Sequence, residues 1–239
     1  MGITRRRFLG CAAGAVTMGL PGLPLDLWRP GQSSVAVETS PQHGRSGESV
    51  SGYESALAAL GSRFRCAGAS WVSRCAVLIV PAALELPPSA ARAIVRCLQA
   101  GASVILESGA GFAAGRDFHA HRVVLRDYLQ VRVEAPVQLW PAHTSSQGIP
   151  YVDYTWPYSA KVRDFSRVVT LGRQPGEVIA WVDGLPVALK RRSGRGTLIF
   201  LGSPLGPALW AGDAEARRWL FDVLARQGVA PVDRVRGNL

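Results

Sequence analysis

Two unbroken apolar runs, Ala76-Val77-Leu78-Ile79-Val80 and Ser103-Val104-Ile105-Leu106, flank a stretch of helical spacing, and this arrangement narrows the folds open to the chain. A run without polar alternation fits a strand covered on both faces, which is the environment of a parallel sheet. Between the runs, Ala91, Ile94, Val95 and Leu98 recur at helical spacing. Ser89 is the expected N-cap of that helix and Gly101 its stop. Strand, helix and strand in this order predict a right-handed crossover between parallel neighbours. The expectation is an α/β fold with a mostly parallel central sheet.

The flanking segments extend the pattern. Tyr53–Leu60 reads as a helix ending at Gly61, and Phe118–Leu129 as another. Val131–Leu139 is expected to be extended, and residues 141–165 irregular and rich in aromatics. Glu177–Val182 and Val187–Lys190, joined at Asp183-Gly184, predict a hairpin. A turn at Ser193-Gly194-Arg195-Gly196 leads to a strand over Thr197–Leu201. Asp213 is placed to cap a last helix whose core face is Ala216, Trp219, Leu220, Val223 and Leu224. The chain of 239 residues is long enough for one medium domain with a sizeable core. The domain is expected at residues 50–228, after a leader at 1–33 and a linker at 34–49 that holds a short strand near Val35–Glu38; residues 229–239 read as a tail.

The formal charge is +10, and only Lys161 and Lys190 are lysines. Arg191, Arg192 and Arg195 form the densest late cluster, at a turn and without interleaved aromatics, so nucleic acid is not an expected partner. Outside the leader the cysteines are Cys66, Cys75 and Cys97, an odd number with no CxxC or Cys/His metal spacing. No metal or other cofactor is expected. Cys97 falls on the inward face of its helix, and a Cys66–Cys75 disulfide is open.

Thr4-Arg5-Arg6-Arg7-Phe8-Leu9 resembles the twin-arginine translocation consensus, in which Arg5, Arg6, Phe8 and Leu9 carry the signal. A weakly apolar stretch, Gly10–Leu20, follows and is too short to span a bilayer. The resemblance implies recognition by the twin-arginine translocase and a periplasmic or extracellular location. Ser34-Val35-Ala36 offers a small-residue cleavage site.

Three stretches resemble the class I glutamine amidotransferase-like superfamily. Val77-Leu78-Ile79-Val80-Pro81 is similar to its strand ending in proline. Ala100-Gly101-Ala102 before Val104-Ile105-Leu106 is similar to its helix-to-strand step. Gly194–Ser203, then Leu205-Gly206 and Asp213–Ala216, is similar to its closing hairpin, strand and helix. The resemblance implies a flavodoxin-like three-layer sandwich with a C-terminal hairpin extension. It also implies a member without the ancestral chemistry. Glu107 stands where the nucleophilic cysteine of the sharp strand-to-helix turn belongs, and the last histidine, His143, precedes the closing hairpin.

Two places attract function. Glu107, Ser108 and Gly109 end a buried strand, where open α/β sheets bind ligands. Tyr154 and Trp156 lie beside Asp153, and aromatic faces next to a carboxylate suit sugar stacking. The alternative at each place is structural: a carboxylate binding nearby backbone, and a loop sewn down by its rings. His119 and His121, two apart on a helix, point in different directions and read as solvated or capping groups. The leading expectation is an accessory module binding a carbohydrate or another envelope component. Its rivals are a hydrolase using Glu107 with Asp153 as paired carboxylates, and a docking subunit of another exported protein.

Overall fold

The computed structural model describes residues 35–39, 47–61, 64–67 (backbone only), 75–110, 115–139, 150–164 and 167–229. The strands are β1 (Val35–Glu38), β2 (Phe64–Ala67), β3 (Val77–Ala83), β4 (Ser103–Ser108), β5 (Val133–Gln138), β6 (Tyr151–Tyr154), β7 (Ala160–Arg163), β8 (Arg167–Leu171), β9 (Glu177–Val182), β10 (Leu185–Ser193) and β11 (Gly196–Leu201). The helices are α1 (Gly47–Ala59), α2 (Pro88–Ala100), α3 (Gly115–Leu129), α4 (Gly206–Trp210) and α5 (Ala214–Arg226).

Among the described residues, nine strands form one sheet in the order β2-β1-β3-β4-β11-β10-β9-β6-β7, and β5 and β8 form a separate antiparallel pair. The sheet is mixed in equal parts. Pairings β1–β2, β1–β3, β3–β4 and β4–β11 are parallel. Pairings β11–β10, β10–β9, β9–β6 and β6–β7 are antiparallel. This corrects the expectation of a mostly parallel, flavodoxin-like sandwich with an added hairpin. The antiparallel half is too large to be an extension, because residues 151–163, expected to be irregular, form the β6–β7 hairpin that continues the sheet. That segment alternates buried Val152, Tyr154, Ala160 and Val162 with exposed neighbours, a period-two signal its aromatics obscured.

The pleat sorts the core into two clusters. Val77, Ile79, Ile105, Ile199 and Leu201 face Tyr53, Leu57, Leu209, Trp219 and Leu220 on α1, α4 and α5. Leu78, Val80, Val104, Leu106, Leu198 and Phe200 face Ile94, Cys97, Leu98 and Leu125 on α2 and α3, with Val133, Val169 and Leu171 of the small sheet. One cluster therefore takes each face of the strands, as alternation requires.

Local chemistry places the joints. Asp183 and Gly184 adopt φ of 48° and 78°, the left-handed pair a tight hairpin needs. Asp213 accepts from Ala216 N at 3.0 Å as the α5 N-cap. The α2 N-cap is Pro87, not the expected Ser89, because Pro88 already supplies a helical φ with no N–H to satisfy. The late arginines close helices: Arg191 donates to Leu129 O and Gln130 O, and Arg195 donates to Gln99 O at 2.9 Å. Cations at helix C-termini complement the dipole there.

β1 is interior to the sheet, bonded to β2 on one side and β3 on the other. The supposed linker thus contains a core strand, and a cut after Ala36 would sever it. The leader residues Arg5, Arg6, Phe8 and Leu9, and the tail beyond residue 229, lie outside the described residues. Among the described residues, no helix is long and apolar enough to cross a membrane.

α1 and α4 touch through glycines. A Cβ on Gly206 would meet Ser49 Oγ at 2.1 Å and Ser49 Cα at 2.5 Å, whereas one on Gly184 would meet nothing within 4 Å. Gly206→Ala should therefore cost about 3 kcal/mol through forced separation of the helices. Gly184→Ala should cost only about 1 kcal/mol, through its positive φ. Urea denaturation of the two variants beside the parent checks the ranking, and equal losses would contradict it.

Candidate functional site

Glu107 is the last but one residue of β4 and is fully buried. Ile105 faces the α1/α4/α5 layer, so Glu107, two residues on, faces it too. Five donors converge on its carboxylate. Ser49 Oγ at 2.5 Å and Ala82 N at 3.0 Å bind Oε2, while Tyr53 OH at 2.6 Å, Leu205 N at 2.7 Å and Gly206 N at 2.9 Å bind Oε1. Burial pushes its pKa up, and the donors from Ser49, Tyr53, Gly206 and Leu205 pull against that. Burial and the same carboxylate push the Tyr53 phenol well above its usual value. No lone pair is left facing open space, and the group joins β4, β3, α1 and the start of α4.

Asp153 lies on β6, four strands away across β11, β10 and β9, a separation of roughly 19 Å at normal strand spacing. It is exposed and sits 3.5 Å from Lys161. The structure does not bring the two carboxylates together. Tyr154 and Trp156 do not form an open platform either. Tyr154 is buried, with its ring 4.7 Å from that of Trp219, and Trp156 packs edge-on against Trp219 at 6.4 Å under Lys190 Nζ. Trp219 Nε1 donates to Trp156 O at 2.8 Å, which fixes the segment to α5. These rings sew the hairpin to the domain.

Ser108 turns to the opposite face and is buried beside His121, with Oγ 3.3 Å from Nε2. Gly109 N donates to Ala83 O at 2.9 Å, locking the β4 end to β3. His121 was expected to be solvated or capping, yet it is buried. His121 also lines a cleft of about 310 Å³ with Glu85, Leu86, Pro87, Pro88, Arg116, Asp117, Ala120 and Val124. The cleft lies between the β3–α2 connection and the first turns of α3, at the C-terminal ends of parallel strands where α/β sheets commonly bind ligands. Burial lowers the His121 pKa from 6.5 to about 4, and a hydrogen bond to the Leu84 backbone offsets part of this. The ring is therefore neutral at pH 7 and can accept or donate through one nitrogen. Sequence reasoning missed this residue because the helix phase of α3 was read without knowing which face α2 covers. Buried Val124 and Leu125, on the same helix, carried that phase.

A larger cavity of about 560 Å³ lies at the other end of α3, lined by Arg126, Gln130, Arg132, Arg173, Gln174 and Pro175. Gln174 ties its wall together, accepting from Arg132 N and donating to Arg132 O, both at 2.9 Å. Among the described residues, no group of three or more His, Cys, Asp or Glu is arranged to hold a metal.

No protein-family model and no curated sequence matches the chain. Solved structures do. A β-galactosidase from Bacillus circulans sp. alkalophilus matches with TM-score 0.61 and 18% identity, over 83% of this chain and 32% of that one. A β-galactosidase from Halorubrum lacusprofundi matches with TM-score 0.59 and 17% identity, over 85% of this chain and 31% of that one. A cytoplasmic protein from Salmonella typhimurium LT2 matches with TM-score 0.59 and 12% identity, over 82% of this chain and 99% of that one. This chain has a fold found in those β-galactosidases, and it spans about a third of their length. The resemblance to class I glutamine amidotransferases is overturned by these neighbours. β3 runs past Pro81 to Ala83, so the strand does not end at that proline, and the Ala-Gly-Ala step and the closing hairpin are features that a mixed sheet with α2, β4, β10 and β11 in these places supplies by itself. Nor do the comparisons give evidence for a signal peptide.

Two outcomes test this account. Glu107→Gln replaces an acceptor with an amide that opposes donors, and should cost about 3–5 kcal/mol in urea unfolding. An unchanged midpoint would contradict the structural role. His121 has a folded pKa depressed from 6.5 to about 4, so the unfolded chain binds the extra proton first. Its stabilisation is complete above pH 6.5 and lost as pH falls toward 4, a change on the order of 3 kcal/mol. Comparing the pH dependence of unfolding in the parent and in His121→Gln isolates this share, which the variant should lack.

Proposed function

We propose that the chain is a carbohydrate-associated binding module that does not use Glu107 with Asp153 to cleave glycosidic bonds. The observation that carries this reading is the placement of Glu107 and Asp153, the two carboxylates the sequence offered as a hydrolytic pair. Glycoside hydrolysis by the usual route needs two of them within about 5–10 Å, flanking one bond. Glu107 is enclosed by five donors and Asp153 lies on the fourth strand along. The ligand class is supported by the likeness to β-galactosidases, of which the chain covers about a third.

The cleft at His121 suits such a ligand. Glu85 and Asp117 offer acceptors and Arg116 donors. Sugar hydroxyls need this mixture, and Leu86, Pro87 and Pro88 supply apolar wall for C–H faces. Isothermal titration with galacto- and manno-oligosaccharides should give saturable binding, and Asp117→Ala should weaken it roughly 10- to 100-fold by loss of charge-assisted hydrogen bonds. Nitrophenyl β-galactoside and β-mannoside should not be turned over. Turnover removed by a substitution in the cleft, or binding indifferent to Asp117→Ala, would overturn the reading.

A further inference from the structure

Cys75 and Cys97 are brought together by packing that the sequence did not foreshadow. Cys75 lies two residues before the start of β3 and is half-buried, and Cys97 is enclosed on α2. The α2–β4 turn holds them in register. Ser103 N donates to the carbonyl of Ala76, next to Cys75, at 2.8 Å, and Ala102 N donates to the carbonyl of Cys97 at 3.0 Å. Cys75 packs on the cluster to which Cys97 belongs, and the two thiols are hydrogen-bonded to each other. We propose that Cys75 and Cys97 form an asymmetric dithiol that closes to a disulfide by exchange with a disulfide-bearing oxidant, Cys75 being the attacking and Cys97 the resolving sulfur.

The asymmetry follows from placement. Cys75 has access to solvent, and the hydrogen bond from Cys97 lowers its pKa, which favours the thiolate that attacks. Cys97 is fully buried and its thiol is raised by the Cys75 bond and by burial, so it cannot meet an external oxidant first. In the first step the Cys75 thiolate attacks one sulfur of the oxidant, forming a mixed disulfide and releasing one thiolate. That thiolate takes the Cys97 proton. The Cys97 sulfur then displaces the second half of the oxidant from Cys75. Two protein thiols are oxidised, and one external disulfide becomes two thiols. The product ties α2 to the entry of β3. It replaces the Cys66–Cys75 pairing left open by the sequence; the side chain of Cys66 lies outside the described residues.

The test uses oxidised glutathione on the purified full chain. Trypsin places the four cysteines in separate peptides, residues 8–45, 66–74, 75–92 and 97–116. Mass mapping without reductant should show 75–92 linked to 97–116, with a rise in Tm on the order of 5–10 °C. Cys97→Ser should stall at a glutathione adduct on Cys75, and Cys75→Ser should leave Cys97 unmodified. If Cys97→Ser fails to fold, the parent map and Cys75→Ser decide the matter. A link to 8–45 or 66–74, a lasting adduct on Cys75 in the parent, or glutathione on Cys97 in Cys75→Ser would each overturn the proposal.

Discussion

A carboxylate shut away from water must be surrounded by donors or it will not stay folded. Glu107 meets that demand with two side chains of α1, one backbone N–H of β3 and two at the start of α4. The rest of that end of the domain depends on this arrangement. α4 has five residues and no side-chain cap, so its first N–H groups rely on Glu107. α1 approaches α4 closely because Gly52 and Gly206 leave room, and Ser49 and Tyr53 on α1 reach the same carboxylate. The strand tip that usually presents a reactive group is here a structural junction.

The open recess lies on the opposite face of the same strand ends. Adjacent residues of β4 point to opposite sides, so Glu107 enters the α1/α4 layer and Ser108 enters the α2/α3 layer beside His121. The open cleft belongs to that second layer. One residue of register thus decides which side of the sheet is sealed and which retains a polar recess.

What the sequence disclosed followed from the strength of its periodic signals. Ala216, Trp219, Leu220, Val223 and Leu224 form the buried stripe of α5 as their spacing implied, and the continuous runs of β3 and β4 lie side by side in parallel. The hairpin at Asp183-Gly184 was legible because its left-handed backbone demands those residue types. β6 and β7 were not, since four-residue strands give a short alternation and Tyr154 and Trp156 looked like exposed binding groups. Their burial is set by Trp219, more than sixty positions later. Glu107 could be singled out, but its orientation could not, because its partners at 49, 53, 82, 205 and 206 meet only in the folded chain. His121 was misplaced for the same reason.

The division of the main sheet at β11 has a kinetic meaning. On one side, β9, β10 and β11 are consecutive and close through tight turns. On the other, β11 must find β4 nearly a hundred positions earlier, with Leu201 opposite Glu107, and β1 must insert between β2 and β3. Local ribbons form quickly, while pairings that close long loops are slow and leave strand edges exposed meanwhile. The late-sequence meander is thus suited to act as a template, its β11 rim waiting for the earlier half of the polypeptide to dock.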